Sequence, residues 1–270
     1  LSSTAGDPAA LRAWRYAYDD AGELVGTSDA RGCGSNYAYD AAGRLLHEDY
    51  SPGEAHHAPY TPPNPAAGEG MEVAYQYDTA TPLPGLSAPP GWTLEPAWQR
   101  GRLVALHDRG TSSWTETDGR GRAVRVATRL ASPDQHTAPA LALADRYAPR
   151  WYERAFAFDA ADREVAATTG ATHAELQGLE VGLPGSRTST SALLTEYTRR
   201  GTVKQVGGSY QALVHHVRRT ADALVTELQY GDLAHTTTGF TYDQRRRLRS
   251  VQTYRGPPSA WTAPPPDYLP

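Results

Sequence analysis

The chain has 270 residues, 21% of them charged, and a formal net charge of -4, so it lacks the basic surplus on which phosphate-driven nucleic-acid binding depends. Its 25 Gly and 21 Pro, with only 39% hydrophobic residues, point to a turn-rich β protein and argue against a helical bundle. No run approaches the ~20 apolar residues of a membrane helix, and Cys33 alone cannot staple the chain to itself.

Tyr (16) and Trp (6) outnumber Phe (3) and Met (1), which predicts amphipathic rings with polar tips rather than deep-core filler. Residues 1–10 form a lead-in without the charged and apolar regions of a signal peptide. They stand close to the first repeat and do not begin with Met, as expected of a fragment or processed product of a longer chain.

The first readable element is Tyr16-Ala17-Tyr18-Asp19-Asp20-Ala21-Gly22-Glu23-Leu24-Val25, and 21 residues later stands Tyr37-Ala38-Tyr39-Asp40-Ala41-Ala42-Gly43-Arg44-Leu45-Leu46. Aromatic residues two apart place both rings on one face of a strand. Asp and Gly at i and i+3 suit a type I turn, with Asp as acceptor and Gly free to take positive φ. Strand, turn and return strand make a hairpin. Asp29 to Gly34 supplies a second turn signal between the two hairpins.

Pro52 to Gly70 is a proline-rich excursion that cannot stay inside a sheet. Tyr75, Tyr77 and Asp78 then resume the alternation, as if the loop had replaced one repeat, and Pro82 to Pro96 interrupts it again. Taking Gly101-Arg102-Leu103 as the next Gly-Arg-Leu puts its Asp slot at Trp98. Asp118 with Gly121 follows, then Phe156, Phe158 and Asp159, with Asp162 in the Gly slot, where Asp tolerates the left-handed region. Tyr197 and Gly201 place an Asp slot at Thr198; His216 to Val225 aligns on Tyr16 to Val25 with its slot at Arg219; Phe240, Tyr242 and Asp243 restore the motif. A period of about 20–21 makes each hairpin one structural unit that buries its apolar face against its neighbours. The expected domain plan is the lead-in 1–10, a repeat region 11–254 with proline-rich loops near 51–70 and 82–97, and a proline-rich tail 255–270. The expected fold is all-β: consecutive antiparallel hairpins in a strongly twisted strip.

The motif Tyr-x-Tyr-Asp-x-x-Gly-Arg-Leu at this spacing resembles the YD repeat of the RHS family, which includes bacterial polymorphic toxins, the B and C components of insecticidal toxin complexes and the shell of teneurins. The resemblance implies that the strip is part of a hollow β-shell which, in the toxin members, encloses a cargo polypeptide. It implies as partners the remaining RHS-repeat segments and an enclosed toxin, and a secreted or extracellular bacterial setting. The chain departs from the family in being too short to close a shell and in lacking the aspartate self-cleavage segment, since its one Asp-Pro is Asp7-Pro8.

Catalytic, metal and cofactor roles find little support. The repeated Tyr-Asp pairs suggest sugar stacking, but ladders of rings with Asp closing the turns explain their repetition better. A module displayed outside a cell and binding glycan or protein is the alternative function. Adjacent histidines, His56-His57 and His215-His216, point to opposite faces of a strand and cannot readily chelate one ion. Gly119-Arg120-Gly121 and Gly182 to Thr188 lack the rest of a phosphate loop and read as turns. Arg245-Arg246-Arg247 lies in a repeat turn, as a solvated or cavity-facing run, and no nucleophile elbow supports a hydrolase.

Overall fold

The computed structural model describes residues 13–52, 60–132, 142–172, 190–209 and 211–256. The lead-in with Asp7-Pro8, the pair His56-His57, the stretch Gly182 to Thr188 and the tail from Pro257 lie outside the described residues. The fold is all-β, with sixteen strands in chain order among the described residues. The chain divides into two compact units, Leu1–Tyr152 and Glu153–Pro270.

The first unit holds β1 (Arg15–Tyr18), β2 (Leu24–Ser28), β3 (Gly34–Tyr39), β4 (Leu45–Ser51), β5 (Val73–Tyr77), β6 (Leu103–His107), β7 (Thr111–Thr117) and β8 (Ala123–Leu130), with a one-turn helix α1 (Pro96–Gln99) and a 3-10 turn at Leu143–Asp145. Each strand pairs antiparallel with the next. The second unit runs through β9 (Tyr152–Phe158), β10 (Glu164–Thr172), β11 (Thr190–Tyr197), β12 (Val203–Gly208), β13 (Val214–Arg219), β14 (Val225–Tyr230), β15 (Thr237–Tyr242) and β16 (Leu248–Tyr254) in the same manner. Among the described residues neither run closes on itself, and no helix is long and apolar enough to cross a membrane.

Each repeat hairpin carries a device that the motif does not announce. One step before the turn the register shifts: Tyr18 faces Leu24 while Ala17 faces Gly26, leaving Val25 as an extra residue on the return strand. The same shift recurs at Ala38/Tyr39, Gln76/Tyr77, Glu116/Thr117, Glu196/Tyr197, Arg218/Arg219 and Thr241/Tyr242, and between Glu164 and Ala166. A bulge bends its strand and adds right-handed twist, so its repetition twists the strip.

Strand β4 pairs directly with β5, so the proline-rich stretch after Ser51 is a long connection between neighbouring strands. One placement read from the sequence is corrected. Strand β5 pairs with β6, with Tyr77 opposite Leu103. The Asp slot for Gly101-Arg102-Leu103 is therefore Asp78 and not Trp98, and residues 79–100 are an insertion inside a single turn. The ends still meet because closing a longer loop costs only slowly more entropy.

Those insertions form the core of the first unit. Ala74, Gln76, Ala105, His107, Ser112, Trp114, Ala127 and Arg129 share one face by register, and all are buried. Leu94, Trp92 and Ala88 from the 79–100 insertion, with Trp151, pack on Trp114 and Val104, while Leu83, Leu86 and Leu143 cover Met71 and Ala74. The roof is tied down by the Leu143 N–H to Gly68 O (2.9 Å), by the Arg146 guanidinium to the carbonyls of Met71 and Glu72, and by an Arg109–Glu72 ion pair. Trp114 is fully buried, contrary to the expectation that the large rings avoid deep core. Burying an aromatic of this size stabilises by roughly 4 kcal/mol at ~25 cal/mol per Å².

Candidate functional site

The residues singled out from the motif gather along the turn edge of each unit. Asp19 to Gly22 shows the basic device. The Gly22 N–H donates to Asp19 O and the Asp19 N–H to Glu23 O, while the Asp19 carboxylate accepts from the N–H groups of Ala21 and Glu23, both at 2.9 Å. One carboxylate thus satisfies two turn donors that no strand partner reaches. Asp40, Asp118, Asp159 and Asp243 repeat the pattern. So does Asp29, at the opposite end of the strands.

The position after the Gly slot adds a charge. Arg44, Arg122, Arg163 and Arg247 each bring Nε to the outer oxygen of their own turn aspartate at 2.7 Å. For Asp118 and Asp159 the guanidinium of Arg122 or Arg163 is the main influence holding the carboxyl below its ordinary value; for Asp40 and Asp243 the backbone N–H of Arg44 or Arg247 contributes most.

Neighbouring hairpins are stapled through the same residues. Arg44 crosses to the next repeat, where it meets Asp78 at 2.6 Å and lies 4.6 Å over the Tyr77 ring. Hydrogen bonds from Asp78 and then Asp40 raise its pKa further. Arg102 likewise reaches Asp118 O at 3.0 Å and Arg163 lies 4.7 Å over Tyr197. The ring before the Asp slot ties backwards. Tyr39 donates to Leu24 O, Tyr197 to Glu164 O and Tyr242 to Val225 O, at 3.0, 2.8 and 2.8 Å. Each acceptor lies two residues beyond the left-handed residue of the preceding turn.

The left-handed backbone at this position explains its glycine, and flexible side-chain ends of the neighbouring repeat lie over it. Gly43 has φ +74, and a Cβ there would stand 2.7 Å from the Glu23 carboxylate of the preceding repeat. Gly121 has φ +85, and a Cβ there would stand 2.8 Å from the Arg102 guanidinium; Gly201 has φ +79. Asp162 (φ 61), Ala223 (φ 69) and Arg246 (φ 63) adopt the same conformation without being glycine. Ala223 exposes a further correction. The β13–β14 turn is closed by the Thr220 N–H to Leu224 O and the Ala223 N–H to Thr220 O, so the Asp slot is Thr220 and not Arg219. The Thr220 hydroxyl accepts the Leu224 N–H at 3.1 Å, a role that a guanidinium without lone pairs cannot take.

The remaining motif residues take strand positions. Tyr16 and Tyr18 on β1 are 59% and 63% exposed. Tyr37 faces Glu48 across β3 and β4, and Tyr75 donates to the same Glu48 at 2.7 Å. Phe156 lies beneath Arg154, Phe158 faces Glu164, Phe240 faces Val251, and Leu45 opens β4 opposite Tyr39. The basic run is partly paired, Arg246 with Asp222 and Arg247 with Asp243. His216 meets Glu227 at 2.9 Å. Among the described residues no group of three or more His, Cys, Asp and Glu is placed to hold a metal ion. The inter-repeat staples were not read from the sequence; their local signals are the Arg that follows the Gly slot in several repeats and the Tyr that precedes the Asp slot.

No protein-family model matches the chain, and no curated protein matches it either. Solved structures do. The Tc holotoxin pore of Photorhabdus luminescens, with a substituted TccC3, is similar over 92% of this chain at a TM-score of 0.64 and 15% identity. A TcdB2–TccC3 complex is similar over 91% at 0.62 and 15%, and a TcdB2–TccC3–Cdc42 structure over 89% at 0.62 and 14%. This chain spans about a tenth of those chains, covering 10% to 11% of their length. At such identity the likeness shows the fold, and the RHS-like strip of antiparallel hairpins is the fold this chain shares with those toxin-complex chains.

Proposed function

We propose that this chain is a non-catalytic segment of an RHS-repeat shell that encapsulates or presents a toxin polypeptide, in a protein secreted by a bacterium. The carrying observation is the stapled strip of chain-ordered hairpins, which superposes on toxin-complex chains over nine-tenths of its length. The Tyr, Asp, Gly and Arg residues of the motif then serve as structural members, and the repeat region 11–254 between lead-in and proline-rich tail is the wall-forming part. Its partners are further RHS-repeat segments and the enclosed cargo.

The test is electron microscopy and limited proteolysis of the chain together with the sequence that flanks it in its gene. A hollow particle with this strip in its wall, and an inner polypeptide cut only after the wall is opened, is expected. An inner polypeptide digested as fast as the free one would refute sequestration. A second reading, an extracellular module binding glycan or protein, rests on the exposed Trp14, Tyr16 and Tyr18. Glycan-array binding abolished by Tyr37→Ala in a folded protein would favour it.

A further inference from the structure

We propose that the turn edge of the second unit binds a small phosphorylated polyanion, in a cleft of about 430 Å³ between the β11–β12 and β13–β14 turns. The cleft presents Arg199, Arg200 and Arg219 with Thr198, Thr202 and Thr220, over a floor that includes Val217 and Ala223.

The first argument is a departure from the repeat. Asp40, Asp118, Asp159 and Asp243 fill the Asp slot with a carboxylate that an arginine neutralises. In the two successive hairpins around the cleft that slot holds Thr198 and Thr220, and Thr202 and Leu224 take the place of the arginine. The turns still close, because the Thr198 and Thr202 hydroxyls meet at 2.9 Å and Thr220 accepts from Leu224. The exchange keeps the fold and replaces two Asp–Arg ion pairs with uncharged side chains, so the slots of these two turns carry neither the carboxylate nor its arginine and the net charge of the edge is unchanged.

The second argument is the cations left behind. Arg200 spends one N–H on Ala221 O at 3.1 Å. Among the described residues neither Arg199 nor Arg219 meets a carboxylate, and the Arg219 Nη1 is buried without an acceptor. The nearby acids have partners of their own: Asp222 at the cleft edge accepts from the Thr220 hydroxyl and pairs with Arg246, Glu227 pairs with His216 and Arg218, and Glu196 with Lys204 and Gln205. Three guanidinium groups without a carboxylate partner among the described residues thus line one cleft, and an anion entering it would meet positive charge that the protein does not neutralise.

Both arguments specify the ligand. Guanidinium forks match phosphate oxygens, and the volume falls within the usual range of small-molecule sites. No aromatic side chain lines the cleft, so recognition runs through charge rather than stacking on a base or sugar.

The test is calorimetric titration of the full chain with inorganic pyrophosphate at constant ionic strength, with citrate as comparator. Saturable binding at least about tenfold tighter than citrate, weakened about tenfold or more by Arg219→Gln, is expected. Thr198→Asp restores the residue that the repeat uses elsewhere, so it should keep the circular-dichroism spectrum and melting temperature while losing pyrophosphate binding. Absence of saturable binding, equal affinity for citrate, or binding unchanged in both variants overturns the proposal.

Discussion

His107 offers the sharpest test of the roofed face. It is fully buried, its Nδ1 lies 2.9 Å from the Ser112 hydroxyl, and Nε2 has no partner. Burial, with Arg129 and Arg146 nearby, pushes its pKa from 6.5 down to about 3. Above pH 6.5 the imidazole is neutral in both states and contributes no pH dependence. Below it the unfolded chain takes up a proton that the folded chain refuses, so stability falls at about 1.4 kcal/mol per pH unit until the folded value is reached. At about pH 4.5 the loss is roughly 3 kcal/mol, larger than most single surface effects. His47 is shifted in the same direction by burial and adds to the slope. The turn aspartates, whose pKa values are lowered, stabilise above their ordinary 3.8 and lose that contribution only as pH falls through their folded values, so they stay silent in this window. In His107→Gln the amide still reaches Ser112 but does not titrate. Urea unfolding at about pH 7 and about pH 4.5 should show the wild type losing roughly 3 kcal/mol more than the variant. Equal losses would show that His107 is protonated in the folded protein and that the roof does not exclude water.

Trp114→Ala removes the largest buried side chain of the first unit and should cost about 3–5 kcal/mol in denaturant unfolding. Tyr242→Phe deletes one inter-repeat hydrogen bond, to Val225 O, and should lower stability by about 1 kcal/mol; no change would mean that the staple is dispensable. Ala223→Gly relieves a left-handed alanine and should stabilise by about 1 kcal/mol, read as a higher melting temperature.

The hairpins, their spacing and the Asp-x-x-Gly turns were legible in the sequence because a turn is decided by residues within four positions of one another. An Asp carboxylate finds the N–H groups two and four residues on, whatever the rest of the chain does. The slip at Thr220 shows the limit of that reading. Spacing alone aligns a degenerate repeat equally well one residue away; the acceptor chemistry of the slot favours Thr220 over Arg219, and the observed pairing of Arg219 with Val225 and the Thr220 turn hydrogen bonds fix the register.

What the tertiary structure alone decided is where the chain leaves a turn and returns to it. Asp78 and Arg102 close a motif turn around residues 79–100, and nothing local marks them as partners. The apolar residues of that insertion, Leu83, Leu86, Trp92 and Leu94, sit among prolines and glycines without strand or helix periodicity, yet they cover Trp114 and Met71. Burial against a distant face is non-directional and leaves no period in the sequence, whereas the backbone hydrogen bonds of a turn do. The repeat therefore specified its own hairpins, and the packing of its interruptions determined which face of the sheet became a core.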